Sequence, residues 1–303
     1  MTEQPDGTRR RIRVGTSGWS YDDWHGRFYP ERPPARFDHL AYLARYFGAV
    51  EVNASFYRPP SPRAAASWLR RTPPDFEFTF KLHQRFTHER DRPWTPDEVG
   101  AFRRGIEPVL EAGRLGAVLV QFPWSFRCDA SALRHLEAVR CDFGDLPLVV
   151  EVRHASWTDP AAAEFLRSRG FGWANIDQPP SRSGMPPTSL VTSPVGYVRL
   201  HGRNREAWFS RDAGRDARYD YLYREDELDE WIRRIRDIAR AGETTYVFTN
   251  NHYRGQAPAN ALQILAKLEG RPVAVPSAML RAFAFLETIA DEALPPGEQG
   301  ELF

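Results

Sequence analysis

The 303-residue sequence predicts a single-domain α/β fold, a (β/α)₈ TIM-like barrel. Three observations predict it. Eight short β-type runs recur along almost the whole chain, helical patterns lie between most of them, and no glycine-rich phosphate turn follows the first run as in a doubly wound open sheet. The length would allow two average domains, but α/β barrels commonly use about 250 residues as one.

Residues 1–11 read as a polar amino-terminal tail, and the barrel is expected over residues 12–293. Its first strand, 12–17, runs into Gly15-Thr16-Ser17-Gly18, which lacks the third glycine of a dinucleotide fingerprint and leads into aromatics. A helical pattern over 37–47 follows, then a strand over 49–55. The helix at 62–71 starts at Ser61-Pro62, a capping oxygen before a proline in the first helical position. After a strand at 77–82, the helix at 96–112 repeats that start with Thr95-Pro96, and Thr95 with Glu98 spells a capping box. The remaining strands are expected at 116–122, 146–153, 171–177, 196–201 and 244–250, and the remaining helices at 130–140, 160–169 after Asp159-Pro160, 225–241 and 257–268. Gly113, Gly170 and Gly242 follow helical runs, where a residue without Cβ can take the left-handed conformation that ends a helix. Between the sixth and seventh strands, residues 178–194 are rich in Pro and Ser and replace the sixth helix with a long loop, a common place for function. A last helical run at 277–290 is expected to pack across one end of the barrel, before a tail over 294–303.

Composition bounds the function. Hydrophobic residues make up 42% and aromatics 13%, enough for a sizeable core, and no window approaches the ~20 apolar residues of a membrane span. Residues 1–13 are polar and carry arginine, without the apolar stretch of a secretory signal, so a cytoplasmic location with no membrane partner is expected. Forty-one basic against 40 acidic residues exclude a strongly basic nucleic-acid coat, and the arginine pairs at 9–11, 70–71, 103–104 and 233–234 read as solvated faces. Cys128 and Cys141 lack disulfide-framework or zinc spacing and read as reduced thiols.

The strands are unusually polar at their carboxyl ends. Glu51 and Asn53, Lys81 and His83, Gln121, Glu151 and Arg153, Asn175 and Asp177, Arg199 and His201, and residues 250–252 all fall there. Side chains two apart on a strand share a face, so these pairs, with Arg203, can point together into the barrel. Charges there must pair or bind something. Barrel active sites are built at strand carboxyl ends, so a functional cluster is expected; an internal salt-bridge network, above all through Glu51 and Arg153, is the alternative. Lys81, Arg153, Arg199 and Arg203 could grip a phosphate or carboxylate, arginine bidentately, and with Asn251 are the expected substrate contacts. Glu151, Asp177 and His201 are the candidate proton-transfer groups. The same residue types, with His83, His88 and His252, could ligate a divalent metal, but no HExxH or comparable spacing favours one. No nucleotide-cofactor motif, Rossmann or Walker, is present. Aromatics cluster at Trp19, Tyr21, Trp24, Phe28 and Tyr29, and again at Phe56-Tyr57, Trp124, Trp157 and Trp208. Core packing explains many of them; Trp19 and Tyr57 are expected as stacking walls for a sugar or base.

Gly15-Thr16-Ser17-Gly18-Trp19-Ser20-Tyr21, followed by Trp24, Gly26 and Phe28-Tyr29-Pro30, resembles the YecE-like family, also called domain of unknown function 72. The resemblance continues through Val50-Glu51-Val52-Asn53, Ser55-Phe56-Tyr57-Arg58, Phe80-Lys81, Thr87-His88, Gln121-Phe122-Pro123, Glu151-Val152-Arg153-His154, Ser156-Trp157, residues 197–203 and Asn250-Asn251-His252. It covers nearly the full barrel and implies a TIM-like barrel, but no reaction. One departure is Ser55, where the family more often has threonine; the hydroxyl is kept. Finally, Gln299-Gly300-Glu301-Leu302-Phe303 resembles the QxxLF pentapeptide by which bacterial replication and repair proteins dock on the DNA sliding clamp, with Gln299, Leu302 and Phe303 as anchors.

Three functions are compatible with these features. The first is an enzyme, of hydrolase or lyase type, acting on a phosphorylated small molecule or a nucleic acid and recruited to the clamp. The second is a sugar or sugar-acid isomerase or lyase, and the third a non-catalytic adaptor that senses an anion.

Overall fold

The computed structural model describes residues 11–210, 214 and 216–291. Eight parallel strands close into a barrel in sequence order: β1 (Arg11–Ser17), β2 (Ala49–Val52), β3 (Glu77–Lys81), β4 (Leu115–Gln121), β5 (Leu148–Glu151), β6 (Gly172–Asp177), β7 (Val195–Leu200) and β8 (Thr244–Thr249). Closure is made by β8 against β1, with Ile12 opposite Thr245 and Val14 opposite Val247. Every expected strand is present. Gly15 is needed for one of these seams, because a Cβ there would lie 1.9 Å from the Ala49 carbonyl oxygen of β2.

Helices α1 (His39–Leu43), α2 (Pro62–Arg70), α3 (Pro96–Glu111), α4 (Ala130–Phe143) and α5 (Pro160–Ser168) alternate with the first strands. Their starts follow the expected chemistry: Ser61 accepts from Ala64 N at 3.2 Å, Asp159 from Ala161 N at 2.9 Å, and the Thr95–Glu98 box is closed in both directions. Two of the boundaries that differ from expectation have a visible cause. Helix α1 is shorter than 37–47 because Asp38, accepting from Leu40 N and Ala41 N, caps it after Phe37. Gly113 and Gly170 do take left-handed φ values of 66° and 69°, but Gly242 is extended at φ −104° and ends its helix without that turn.

No helix lies between β6 and β7. Residues 178–194 run as a loop anchored on Asn175, whose Oδ1 accepts from Thr188 Oγ1 at 2.7 Å and Leu190 N at 2.8 Å. After β7 comes a short helix that the sequence did not announce, α6 (Arg205–Phe209), capped by Asn204. Helices α7 (Glu225–Ala241) and α8 (Gln256–Glu269) flank β8. The expected run over 277–290 is broken: α9 (Ser277–Ala282) stops where Phe283 turns to φ −141°, and a separate 3₁₀ turn covers Ala284–Ile289.

The barrel interior is filled in layers by alternate strand residues. At the amino-terminal end, Tyr246 OH donates to buried Glu77, and its ring fills the space that glycine leaves at Gly116. One layer up, Tyr197 OH donates to Glu51 Oε2 at 2.7 Å and meets Thr79 Oγ1 at 3.0 Å. The third layer, at the carboxyl ends, is ionic and forms the floor of the site.

Candidate functional site

A cavity of about 770 Å³ opens at the carboxyl end of the barrel. All eight strand ends contribute to it. Tyr21 follows β1, Asn53 and Tyr57 follow β2, Lys81 ends β3 with His88 beyond, Gln121 ends β4 with Trp124 beyond, and Arg153 follows β5. Gln178 and Arg182 come from the loop after β6, Arg199 from β7 with Trp208 and Arg218 beyond, and Asn250 and His252 from the end of β8.

The floor is a tight set of ion pairs. Arg199, 2% exposed, donates from Nε and Nη2 to the two oxygens of Glu51 at 2.9 and 2.6 Å, and from Nη1 to Glu151. Glu151 is also held by Arg153, whose Nε and Nη2 reach its Oε1 at 3.0 and 2.9 Å. Burial alone would raise the Glu151 pKa, but Arg199 and Arg153 together hold it well below the usual carboxylate range. His201, just past the end of β7, packs against this layer, Nε2 3.4 Å from Glu151 Oε1 and Nδ1 2.9 Å from Asn250 Nδ2. Burial pulls its pKa down to about 3, so the ring is neutral.

That shift has a measurable consequence. In the unfolded chain this imidazole titrates near 6.5, and in the folded protein near 3, so between those values the unfolded state holds the extra proton. Stability contributed by the neutral ring is present above about 6.5 and drains away as pH falls. The expected slope approaches about 1.4 kcal/mol per pH unit at most, and His201→Gln should flatten it. Unfolding midpoints of both proteins between neutral and mildly acidic pH decide this; parallel curves would absolve His201.

One wall is aromatic. Tyr21 stacks on His252 at 4.6 Å, His252 meets Tyr219 at 4.8 Å, and Tyr219 meets Trp208 at 6.0 Å. The Arg153 guanidinium lies 5.5 Å over the Trp208 ring. Trp124 and Tyr57, 48% and 63% exposed, stand at the mouth, Trp124 edge-on to His154 at 5.0 Å and Tyr57 edge-on to Phe56 at 5.0 Å. At the end of β3, Ser55 Oγ donates to the Lys81 carbonyl at 2.7 Å and also contacts the Val52 carbonyl, so the hydroxyl at this position ties two strand ends together.

Of the residues expected at the site, Tyr57, Lys81, Arg153 and Arg199 line the cavity. Glu151 and His201 lie beneath it, fully buried. Four others are placed elsewhere, each by a partner that the sequence does not reveal. Asp177 is engaged by Arg203 at 2.8 and 3.0 Å and by Tyr223 OH at 2.6 Å, and Arg203 also binds Glu227 at 3.1 Å. These two therefore form an ion pair with each other instead of facing a ligand. Asn251 donates to the Tyr221 carbonyl and to Asn260 Oδ1, both at 2.8 Å, fixing the chain after β8 to α8. Trp19 packs edge-on against Trp68 at 5.5 Å. Gln121 and Asn53 were visible as polar strand ends and Trp208 as one of the clustered aromatics; Arg182 and Arg218, outside any strand end, were not. Among the described residues no group of three or more His, Cys, Asp or Glu side chains could hold a metal ion, and no helix is long and apolar enough to cross a membrane. Gln299, Leu302 and Phe303 lie outside the described residues.

A family model described as "Protein of unknown function DUF72" matches residues 13–281. The chain is 31% identical over 271 residues to UPF0759 protein YunF of Bacillus subtilis (strain 168), covering 85% of this chain and 95% of that protein. Among solved structures, it is similar to a DUF72 family protein from Thermotoga maritima, at 38% identity and TM-score 0.76 over 86% of this chain and 99% of that one. It is also similar to one from Enterococcus faecalis, at 27% identity and TM-score 0.75 over 85% and 95%.

Proposed function

Since the chain belongs to the DUF72 family of unknown function, we propose that it is an enzyme acting on a phosphorylated substrate of nucleotide size, bound in the cavity at the strand carboxyl ends. One observation carries this reading. The described cavity lining contains Lys81, Arg153, Arg182, Arg199 and Arg218 and no Asp or Glu side chain. The charges that would neutralise this set, Glu51 and Glu151, are buried in the floor and engaged by Arg199 and Arg153. A concave pocket lined by one sign of charge concentrates ligands of the other sign. Arginine forks suit the flat or tetrahedral oxygen arrays of carboxylate and phosphate.

The volume, about 770 Å³, fits within the range of pockets for nucleotide-sized ligands. The Tyr21–His252–Tyr219–Trp208 wall and the exposed Trp124 and Tyr57 rings offer faces on which a base could stack, whether free or at the end of a nucleic-acid strand. No carboxylate among the described residues reaches the cavity, so proton transfer there falls to its Lys and His side chains, Lys81, His88 and His252.

Trp124 and Trp208 face the cavity, so intrinsic fluorescence reports its occupation. Titration with a nucleoside monophosphate is expected to give binding at least about tenfold tighter than with the matching nucleoside, a difference of about 1.4 kcal/mol, weakening as salt is added. Equal affinity for the charged and uncharged ligand, or indifference to salt, would sink the proposal.

A further inference from the structure

Of the chain's 41 Lys and Arg residues only Lys81 and Lys267 are lysine. Lys267 sits on the outside of α8 between Glu225 at 2.8 Å and Asp229 at 2.9 Å, an ordinary surface pairing. Lys81 is different. It ends β3 inside the cavity, among the described residues no carboxylate lies within ion-pair distance of its amine, and Nζ stands 3.8 Å from the centre of the Phe56 ring. Arg199 and Arg153 flank it across the floor. If this position needed only a positive charge, arginine would serve, and this chain uses arginine nearly everywhere else. What an amine adds is the ability to lose its proton and attack carbon, which a guanidinium does not do in proteins.

We propose that Lys81 is an imine-forming nucleophile and that the cavity's ligand is a phosphate-bearing aldehyde or ketone. This rests on the anion-binding reading above and adds the functional group that reacts. The Lys81 nitrogen lone pair attacks the carbonyl carbon, and the carbonyl π electrons move to oxygen, which takes a proton from solvent. The nitrogen of the resulting carbinolamine loses a proton to water in the open cavity. The hydroxyl is then protonated and leaves as water while the C=N bond forms. These steps leave the protonated iminium and water; loss of the remaining N–H proton to water gives the imine, so amine plus carbonyl gives imine plus water with no oxidant or reductant consumed. Arg153, Arg182 and Arg218 are placed to hold the phosphate while the carbonyl meets Nζ. Burial, then the neighbouring Arg199, pull the Lys81 ammonium down to about 7, so much of it is free amine at neutral pH.

The probe is pyridoxal 5′-phosphate, an aromatic aldehyde carrying a phosphate, with cyanoborohydride added to deliver hydride to the imine carbon and fix it as a secondary amine. Peptide mass mapping of the full-length protein is expected to place the adduct on Lys81 in preference to Lys267 by on the order of a thousandfold near neutral pH, from their difference in free-amine fraction. The labelling rate should climb as pH rises through about 7 and fall when inorganic phosphate competes. Lys81→Arg should keep phosphate binding and lose the adduct. If phosphate binds but Lys81 is not labelled, or Lys267 is labelled as fast, the imine inference is overturned while the anion-binding reading stands. If neither phosphate nor the aldehyde binds, both fail. The wild-type map decides even if Lys81→Arg does not fold.

Discussion

Replacing Arg199 with methionine is expected to cost the fold about 3–5 kcal/mol, because it leaves two buried carboxylates without their shared cation. Glu51 and Glu151 are both 0% exposed, and Arg199 alone joins them. Glu51 would keep only the Tyr197 hydroxyl at 2.7 Å, and Glu151 only Arg153 and the neutral His201. Methionine keeps the unbranched stem but ends two atoms short of the guanidinium nitrogens, so the loss combines the broken ionic layer with a small void. Denaturant unfolding midpoints measure it. The same experiment on the triple variant Glu51→Gln, Glu151→Gln, Arg199→Met should recover most of the loss, since a buried ionic cluster is often replaceable by neutral groups. A single-variant cost under about 1 kcal/mol would mean that water already reaches this floor.

Arg153→Ala is expected to separate binding from stability. Arg153 is the floor residue with one side toward the cavity, its side chain 18% exposed and its guanidinium over Trp208. Glu151 keeps Arg199 when Arg153 is removed, so the fold should lose less than in Arg199→Met. Loss of a charge-assisted contact to an anion is worth about 1.5–3 kcal/mol, or roughly a tenfold to hundredfold rise in Kd for a nucleoside monophosphate. Affinity from Trp fluorescence and stability from unfolding are measured on the same samples. Unchanged affinity with a collapse in stability would reassign Arg153 to the scaffold.

The barrel was legible because its signals are local. Alternation of short apolar runs with capped helical segments, Ser61-Pro62, Thr95-Pro96 and Asp159-Pro160 among them, depends only on neighbours in sequence, and so does the Pro- and Ser-rich stretch that replaces the sixth helix. The polar strand ends were legible for the same reason. Which of them faces a ligand was not. Asp177 and Arg203 look as suitable as Glu151 and Arg153 until Tyr223 and Glu227, brought from beyond β7, occupy them. Asn251 depends likewise on Asn260 of α8, and Trp19 on Trp68 of α2. Packing between neighbouring βα units decides these cases, and it depends on how the loops and helices beyond each strand end come together, which no local pattern encodes. The isolation of Lys81 from carboxylates belongs to the same class, although its rarity as a lysine stood in the composition from the start.

The bond between Glu51 and Arg199 joins β2 to β7, 148 residues apart in sequence. A nascent amino-terminal half holding β1 to β4 would carry Glu51 inward with Lys81 near it but without the Arg199 fork that binds both its oxygens, and a carboxyl-terminal half would present Arg199 with only Glu151. Neither half can complete its interior alone, so the barrel is not divisible at its midpoint into two self-sufficient pieces. The two charges bury as a pair only once β2 and β7 share one barrel, so the ligand's floor is assembled from both halves of the chain.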